Sequence, residues 1–210
     1  LDEITRLQLS SNARLFTADA NSMYKNIDTD HAIEVISWWL DNLCSNNKLP
    51  ASFPIQAVKS AMVTIMKNNI FTFGDLHFLQ LLGTAMGTSA ACIWATLYYA
   101  YHEEHRLLPT YKQQILYYKR YIDDIIGIWL LPEDNQTWTN FCNDINDYGV
   151  LTWEIEQPSI TAIFMDLRLT INNGKIQSQT YQKEMNLYLY LPATSAHPQG
   201  CIKGTIYGLI

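Results

Sequence analysis

Tyr118-Lys119-Arg120-Tyr121-Ile122-Asp123-Asp124-Ile125-Ile126-Gly127-Ile128-Trp129 sets two adjacent aspartates between two apolar runs. Tyr117, Tyr118, Tyr121 and Ile122 precede the pair, and Ile125, Ile126, Ile128 and Trp129 follow it. These β-branched and aromatic residues predict two strands, with Asp123-Asp124 as the turn of a β-hairpin. Neighbouring carboxylates repel each other unless something neutralises them. A divalent metal does so, and oxygen-only ligands suit Mg²⁺. The plain alternative is an acidic hairpin tip in solvent, so the meaning of the pair depends on the rest of the chain.

Upstream, Leu15-Phe16-Thr17-Ala18-Asp19 reads as a short strand that ends in a carboxylate. Such an aspartate is either a metal ligand at a cleft or a helix N-cap. Asp28-Thr29-Asp30 caps a helix from His31 to Cys44, in which Ala32, Ile33, Val35, Ile36, Trp39, Leu40 and Leu43 keep helical spacing. Ser45 to Pro50 breaks it, and a second helix runs from Pro54 to Asn68. Ile70 to Gln80 reads as a hairpin around Gly74-Asp75. Gln80-Leu81-Leu82-Gly83-Thr84-Ala85-Met86-Gly87 then forms a glycine-containing loop before a helix of roughly Ser89 to Arg106. Glycines there permit close approach of a backbone or a ligand. The helix ends in His102-Glu103-Glu104-His105, whose histidines are three apart. The zinc-protease pattern needs four, so this is a polar helix end.

Downstream, a helix starts at Pro132 and runs to about Tyr148, with Trp138, Phe141, Cys142 and Ile145 on its apolar face and Gly149 ending it. Leu151 to Glu156, Ile160 to Ile171 and Ile176 to Gln182 read as strands, the last two joined by the turn Asn172-Asn173-Gly174-Lys175. A sheet with helices packed on one face is an α+β fold. If the Asp19 strand pairs beside the hairpin, three carboxylates converge at one end of the sheet. That arrangement can hold two Mg²⁺ ions about 3.5–4 Å apart and suits nucleotidyl transfer.

At 210 residues and 48% hydrophobic, the chain can bury a sizeable core. Its first twenty residues mix charges with single apolar positions, so no signal peptide is read, and no apolar run reaches a membrane span. Cys44, Cys92, Cys142 and Cys201 include no CxxC pair, which argues against a zinc site or a disulfide framework and for a reducing compartment. The net charge of −6 argues against a nucleic-acid partner at first sight. Yet Arg106, Lys112, Lys119 and Arg120 form a basic stretch without an intervening acid, and a phosphate groove needs only local positive charge.

Four stretches in order carry a resemblance. Phe16-Thr17-Ala18-Asp19 with Tyr24 and Asn26-Ile27 resembles motif A of reverse transcriptases, and Gln80, Gly83, Met86 and Gly87 resemble motif B. Arg120-Tyr121-Ile122-Asp123-Asp124 resembles motif C, the YxDD box, and Ile163-Phe164-Met165-Asp166-Leu167 resembles the segment after motif D. Tyr181, Lys183, Tyr190-Leu191, Ser195 and His197-Pro198 resemble the thumb-proximal end of Penelope-like reverse transcriptases, which are kin to telomerase. The resemblance covers residues 15 to 204 and implies a polymerase palm with part of the fingers over 1–185 and the start of a thumb over 186–210.

The resemblance also implies roles. Asp19 and Asp123 would bridge two Mg²⁺ ions, with Mn²⁺ as a substitute, Asp124 would support them, and the Ala20 carbonyl would be a further ligand. Tyr24 would be the gate that excludes a ribose 2′-hydroxyl. Gln80, Gly83, Met86 and Gly87 would position template and nucleotide, and Tyr121 and Lys183 would lie on the primer side. The implied partners are an RNA template, a DNA or RNA primer and dNTPs, without a membrane, and the implied place is intracellular, nuclear in a eukaryote. Departures accompany it. Only eighteen residues precede Asp19, no lysine lies between Asp124 and Leu167, little thumb follows, and no GIY-YIG nuclease is read at Gly204 to Gly208. The piece is therefore expected to lack full activity alone. The alternative is a domesticated or decayed copy kept as a nucleic-acid-binding module, and three intact carboxylates argue against decay.

Overall fold

The computed structural model describes residues 2–131, 136–182 and 198–208. It divides into two compact units, Leu1–Thr180 and Tyr181–Ile210. The first begins with a short helix α1 (Asp2–Thr5), strand β1 (Ala13–Ala20) and a 3₁₀ turn (Met23–Lys25). Helices α2 (Thr29–Ser45) and α3 (Ile55–Lys67) follow, then the hairpin β2 (Ile70–Phe73) and β3 (Leu76–Leu79). Helix α4 (Ala91–His102) continues into a π-helical turn (Glu103–Leu107) and the short α5 (Leu108–Thr110). The carboxylate hairpin comprises β4 (Ile115–Tyr121) and β5 (Asp124–Leu130), after which come α6 (Gln136–Ile145) and β6 (Trp153–Ile155). Strands β7 (Thr161–Phe164), β8 (Leu167–Asn172) and β9 (Lys175–Thr180) close the unit. The described part of the second unit is one helix, α7 (Gln199–Gly208). Among the described residues no helix is long and apolar enough to cross a membrane.

The fold is α+β, as the sequence predicts, and all its strand pairings are antiparallel. The main sheet has the order β4-β5-β1-β6. Strand side chains alternate between faces. Phe16, Ala18 and Ala20 of β1 and Ile125 and Trp129 of β5 point to one face, where α2, α3, α4 and α6 supply Val35, Ile36, Met66, Trp94, Tyr98, Tyr99, Trp138 and Phe141. Ala13, Leu15, Ile126 and Ile128 point to the other face, where the three-stranded sheet β7-β8-β9 supplies Ala162, Leu169 and Ile176. The helices occupy one face as expected, but the opposite face is covered over part of its length by a second sheet.

Local signals set most of the boundaries. The Asp28 carboxylate accepts a hydrogen bond from the His31 N–H at 2.9 Å, which makes it the N-cap of α2. Asn173-Gly174 turns β8 into β9, both residues at positive φ, as a tight hairpin requires. The expected start of α6 at Pro132 to Asn135 lies outside the described residues. Residues 160–171, read as one extended stretch, are two strands around a Met165-Asp166 turn. The one turn-favouring residue there is Asp166, set among apolar neighbours without the glycine that marks the β2–β3 and β8–β9 hairpins.

Phe16 is the centre of the helix-side core, fully buried and edge-on to Trp129, Trp138 and Phe141 at 5.4–6.4 Å between centroids. Its ring lies over the backbone of Gly127, directly across the β1–β5 ladder, in space that a Cβ would occupy. Gly127→Ala is therefore expected to cost about 1–3 kcal/mol through overpacking. Thermal unfolding should show a drop of several degrees for a chain of this size, roughly 2–4 °C per kcal/mol. A melting temperature equal to wild type would contradict this packing.

Candidate active site

The β1–β5 pairing builds the site. Its last register pair sets Asp19 directly opposite Asp124, on the face away from the helices. The Ala20 N–H then donates to the Asp123 carbonyl at 2.9 Å, so the ladder carries on past Asp124 and anchors the next residue. Three carboxylates thus gather at one end of the central strands. The turn differs from the expected one by a residue. Tyr121 pairs with Asp124 across β4 and β5, so the turn is Ile122-Asp123 and Asp124 belongs to the strand. A two-residue hairpin needs a positive φ at its first or both central positions. Ile122 supplies it at +54°, a conformation that costs a β-branched residue of order 1–3 kcal/mol.

Burial and like charges act together on these carboxylates. Partial burial, then the charge of Asp123, then that of Glu154 push the Asp19 carboxyl above its ordinary 3.8. Burial, then Asp123 and Asp19, push Asp124 in the same direction. Glu154 lies on β6, directly across from Asp19. Asp19, Asp124, Glu154 and Glu156 line a cleft of about 490 Å³ whose far wall is Ile163, Phe164 and Met165 of the β7–β8 hairpin.

The basic stretch read from the sequence does not face this cleft as a set of open cations. Arg120 is buried against Glu103, its side chain 4% exposed. Arg106 bonds Asp144 and Asp147 at 2.8 and 2.6 Å. Lys119 lies 3.6 Å from Glu3. Strand pairing and helix contacts bring acids from distant positions to these cations, which spacing along the chain cannot reveal.

Tyr24 sits in the 3₁₀ turn after β1, partly buried, its hydroxyl 3.2 Å from the Cys92 sulfur of α4. That hydrogen bond first, then burial, then the nearby charges of Cys92, Asp123 and Tyr121 push its phenol up to about 12, so it stays neutral. Gly83 is packed on this segment. Its N–H reaches the Ile27 carbonyl at 2.9 Å and the next N–H, of Thr84, reaches the Tyr24 carbonyl at 2.6 Å. A Cβ on Gly83 would lie 2.7 Å from the Lys25 carbonyl, and its φ is +78°. The glycine loop thus admits a close backbone, as expected, and the backbone is that of the Tyr24 turn.

Other predicted positions are apart from the cleft. The Gln80 amide nitrogen donates to the Leu82 carbonyl within its own loop, and Gln80 borders a small pocket with Asp30 and Lys67. Met86 is 71% exposed, and Gly87 has open space around it at φ +100°. Tyr121 is 63% exposed and borders an apolar hollow between β4 and the β7–β8 turn. Ala20 ends β1 with its side chain in the core. Lys183, Ser195 and His197 lie outside the described residues. Glu154, Cys92 and Glu103 have places in the site that sequence reading missed. Glu103 reads as one charge in a polar helix end, and only the fold buries it.

The fold is that of a polymerase palm. No protein-family model matches the chain, and no curated protein matches it in sequence. Among solved structures it is similar to telomerase from Candida albicans in complex with a TWJ fragment of telomeric RNA, at 12% identity and a TM-score of 0.59 over 85% of this chain and 32% of that one. Apo telomerase from Candida tropicalis gives 12% and 0.59 over 84% and 33%. The BmCPV RNA-dependent RNA polymerase at elongation state gives 14% and 0.60 over 83% and 17%. The chain spans a third or less of the length of these structures. At such identity the likeness establishes the fold and leaves the activity to the site.

The donor set fits a hard divalent cation, because it is all oxygen and its carboxylates repel one another. Among the described residues no three His, Cys, Asp or Glu side chains already close a cage. Mg²⁺ in particular binds one or two carboxylates and completes its shell with water and substrate phosphates.

The electrostatic tension has a measurable consequence. A carboxylate whose folded pKa is raised contributes stability that is fully present below its unfolded pKa and is lost as pH rises through the raised value. Asp124→Asn should therefore raise the melting temperature of the metal-free protein at pH 7. The gain should stay under about 1 kcal/mol, since the group is partly solvated. The difference from wild type should vanish as pH falls below the carboxylate range. A variant less stable than wild type at pH 7 would contradict the repulsion.

Proposed function

We propose that this chain is the catalytic palm of an RNA-directed DNA polymerase of retroelement origin. The observation that carries the reading is the Asp19–Asp124 register pair with Asp123 anchored beside it, at the cleft on a palm-type sheet. In this reading Asp19 and Asp123 hold two divalent ions and Asp124 supports them. When bound, Mg²⁺ supplies Lewis-acid activation of the primer 3′-hydroxyl and neutralises charge on the phosphates. The 3′-oxygen forms a bond to the α-phosphorus of a dNTP, the bond to pyrophosphate breaks, and the hydroxyl proton passes to solvent.

The remaining roles belong to this chain's own side chains. Tyr24 lies under the sugar of the incoming nucleotide and excludes a 2′-hydroxyl, a job for which its Cys92 bond fixes the ring. The glycine loop braces the Tyr24 turn from behind through Gly83 and Thr84. Tyr121, exposed at the end of β4, faces the primer side. Gln80, Met86 and Gly87 form the template side in the same reading. The likeness to an RNA-dependent RNA polymerase favours a second reading, in which the templated product is RNA. The Tyr24 phenol argues for deoxynucleotides, because an RNA polymerase must admit the 2′-hydroxyl.

Primer extension on an RNA template by the full-length protein, with Mg²⁺ and dNTPs, tests this directly. Asp123→Asn should lower extension at least about a hundredfold while far-UV circular dichroism is unchanged. Nucleic-acid binding without extension in wild type would favour the decayed module instead. Tyr24→Ala should relax discrimination against ribonucleotides by roughly tenfold or more. Unchanged sugar discrimination would remove the gate, and a wild type that prefers ribonucleotides would favour the RNA polymerase reading.

A further inference from the structure

We propose that Arg120, buttressed by Glu103, is a positioning residue that holds the Ile122-Asp123 turn in its metal-binding shape. The catalytic part of this inference rests on the polymerase reading above. The guanidinium is fully engaged. Its Nε and one terminal nitrogen grip the two Glu103 oxygens, each at 2.7 Å, in a bidentate fork. The same terminal nitrogen donates to the Thr96 carbonyl of α4 at 2.9 Å. The other donates to the Ile122 carbonyl at 2.8 Å. Tyr118 adds its hydroxyl to Glu103 at 2.7 Å, and the Tyr99 ring lies under the guanidinium at 5.4 Å.

Stability alone does not account for this arrangement. A buried ion pair of similar volume to apolar residues is a weak stabiliser, because desolvation offsets the attraction. What the pair does supply is a fixed donor for the turn. Ile122 holds φ +54°, and strain of that kind persists only where the surroundings over-determine it. Among the described residues, Arg120 makes the one side-chain hydrogen bond to the backbone of the turn. The Ala20 N–H holds the next carbonyl, of Asp123. The two anchors bracket the Asp123 α-carbon from opposite sides. Releasing the Ile122 carbonyl frees the Ile122–Asp123 peptide to reorient within the hairpin, which moves the Asp123 carboxylate relative to Asp19 and Asp124.

The device also links the turn to the Tyr24 gate. Cys92, Thr96, Tyr99 and Glu103 follow one another at helical spacing of four, three and four along α4 and its π-helical extension. Cys92 touches Tyr24, and the other three touch Arg120. One stripe of one helix therefore sets both the gate and the carboxylates. Lysine cannot replace the arginine, since a single ammonium lacks the planar fork that spans Glu103, Thr96 and Ile122 together.

The test measures Mn²⁺ binding to the full-length protein by electron paramagnetic resonance, without nucleic acid, beside primer extension. The variants are Arg120→Lys and the double replacement Arg120→Met with Glu103→Met, which removes both charges and keeps the volume. Ile176→Val, buried in the β7–β8–β9 sheet near the β8–β9 turn, serves as a core-destabilised control away from the carboxylate turn. Both Arg120 variants should fold by circular dichroism and bind Mn²⁺ about tenfold more weakly, as loss of a group that orients metal ligands does. The Mg²⁺ needed for half-maximal extension should rise in step, while KM for primer–template stays within about twofold of wild type. Wild-type Mn²⁺ affinity in a folded variant overturns the proposal, as does an equal loss in Ile176→Val. Failure of both Arg120 variants to fold overturns it in favour of a purely structural pair. A wild type that binds no Mn²⁺ removes the polymerase reading along with it, whereas metal binding indifferent to Arg120 removes this proposal alone.

Discussion

Seven cross-strand pairs, from Ala13–Leu130 to Asp19–Asp124, hold the two central strands in one antiparallel register. Everything at the candidate site inherits its place from that ladder. A slip of one residue would exchange the two faces of β1. Phe16 would leave the aromatic cluster of Trp129, Trp138 and Phe141, and Asp19 would turn into the core. The burial of Phe16 over Gly127 and the exposure of Asp19 to the cleft are thus two consequences of the same pairing. The core protects the register, and the register protects the geometry of the carboxylates.

The site is electrostatically unbalanced, and the imbalance is local. Asp19, Asp123, Asp124 and Glu154 share one end of the sheet, while the nearest buried cation spends its charge on Glu103. A protein surface would normally intersperse cations among such groups. Burial and then the neighbouring carboxylates raise the Asp19 and Asp124 pKa values, which favours any divalent cation that relieves the repulsion. Stability is given up at the place where chemistry is proposed, and the aromatic core is the compensating reserve.

Two backbone conformations carry the same message. Ile122 and Met165 each occupy the left-handed region at +54°, and each is followed by an aspartate at the tip of a two-residue hairpin. Met165 lines the cleft from the far side, and Ile122 sits in the carboxylate turn. Glycine would adopt either conformation without strain. At Ile122 the strain is tolerated because the Arg120 bond to Ile122 and the main-chain bond from Ala20 to Asp123 hold the tip in place.

Sequence by itself determined the elements that rest on local periodicity and turn chemistry. The helices beginning after Asp28 and Pro54, the Gly74-Asp75 and Asn173-Gly174 hairpins, and the strands flanking Asp123-Asp124 are legible from apolar spacing and from residues with specific dihedral preferences. The α+β class and the candidacy of Asp19, Asp123 and Asp124 follow from them. Tertiary structure alone decided which charges meet. Glu154 faces Asp19 only because β6 pairs with β1, and Glu103 is an anchor only because α4 packs its stripe on β4. It likewise decided that Arg106, Lys119 and Arg120 of the basic stretch meet acids, and that the turn begins at Ile122. Periodicity is set by neighbours along the chain, whereas desolvation and charge pairing depend on neighbours through space, and those exist only once the sheet has closed.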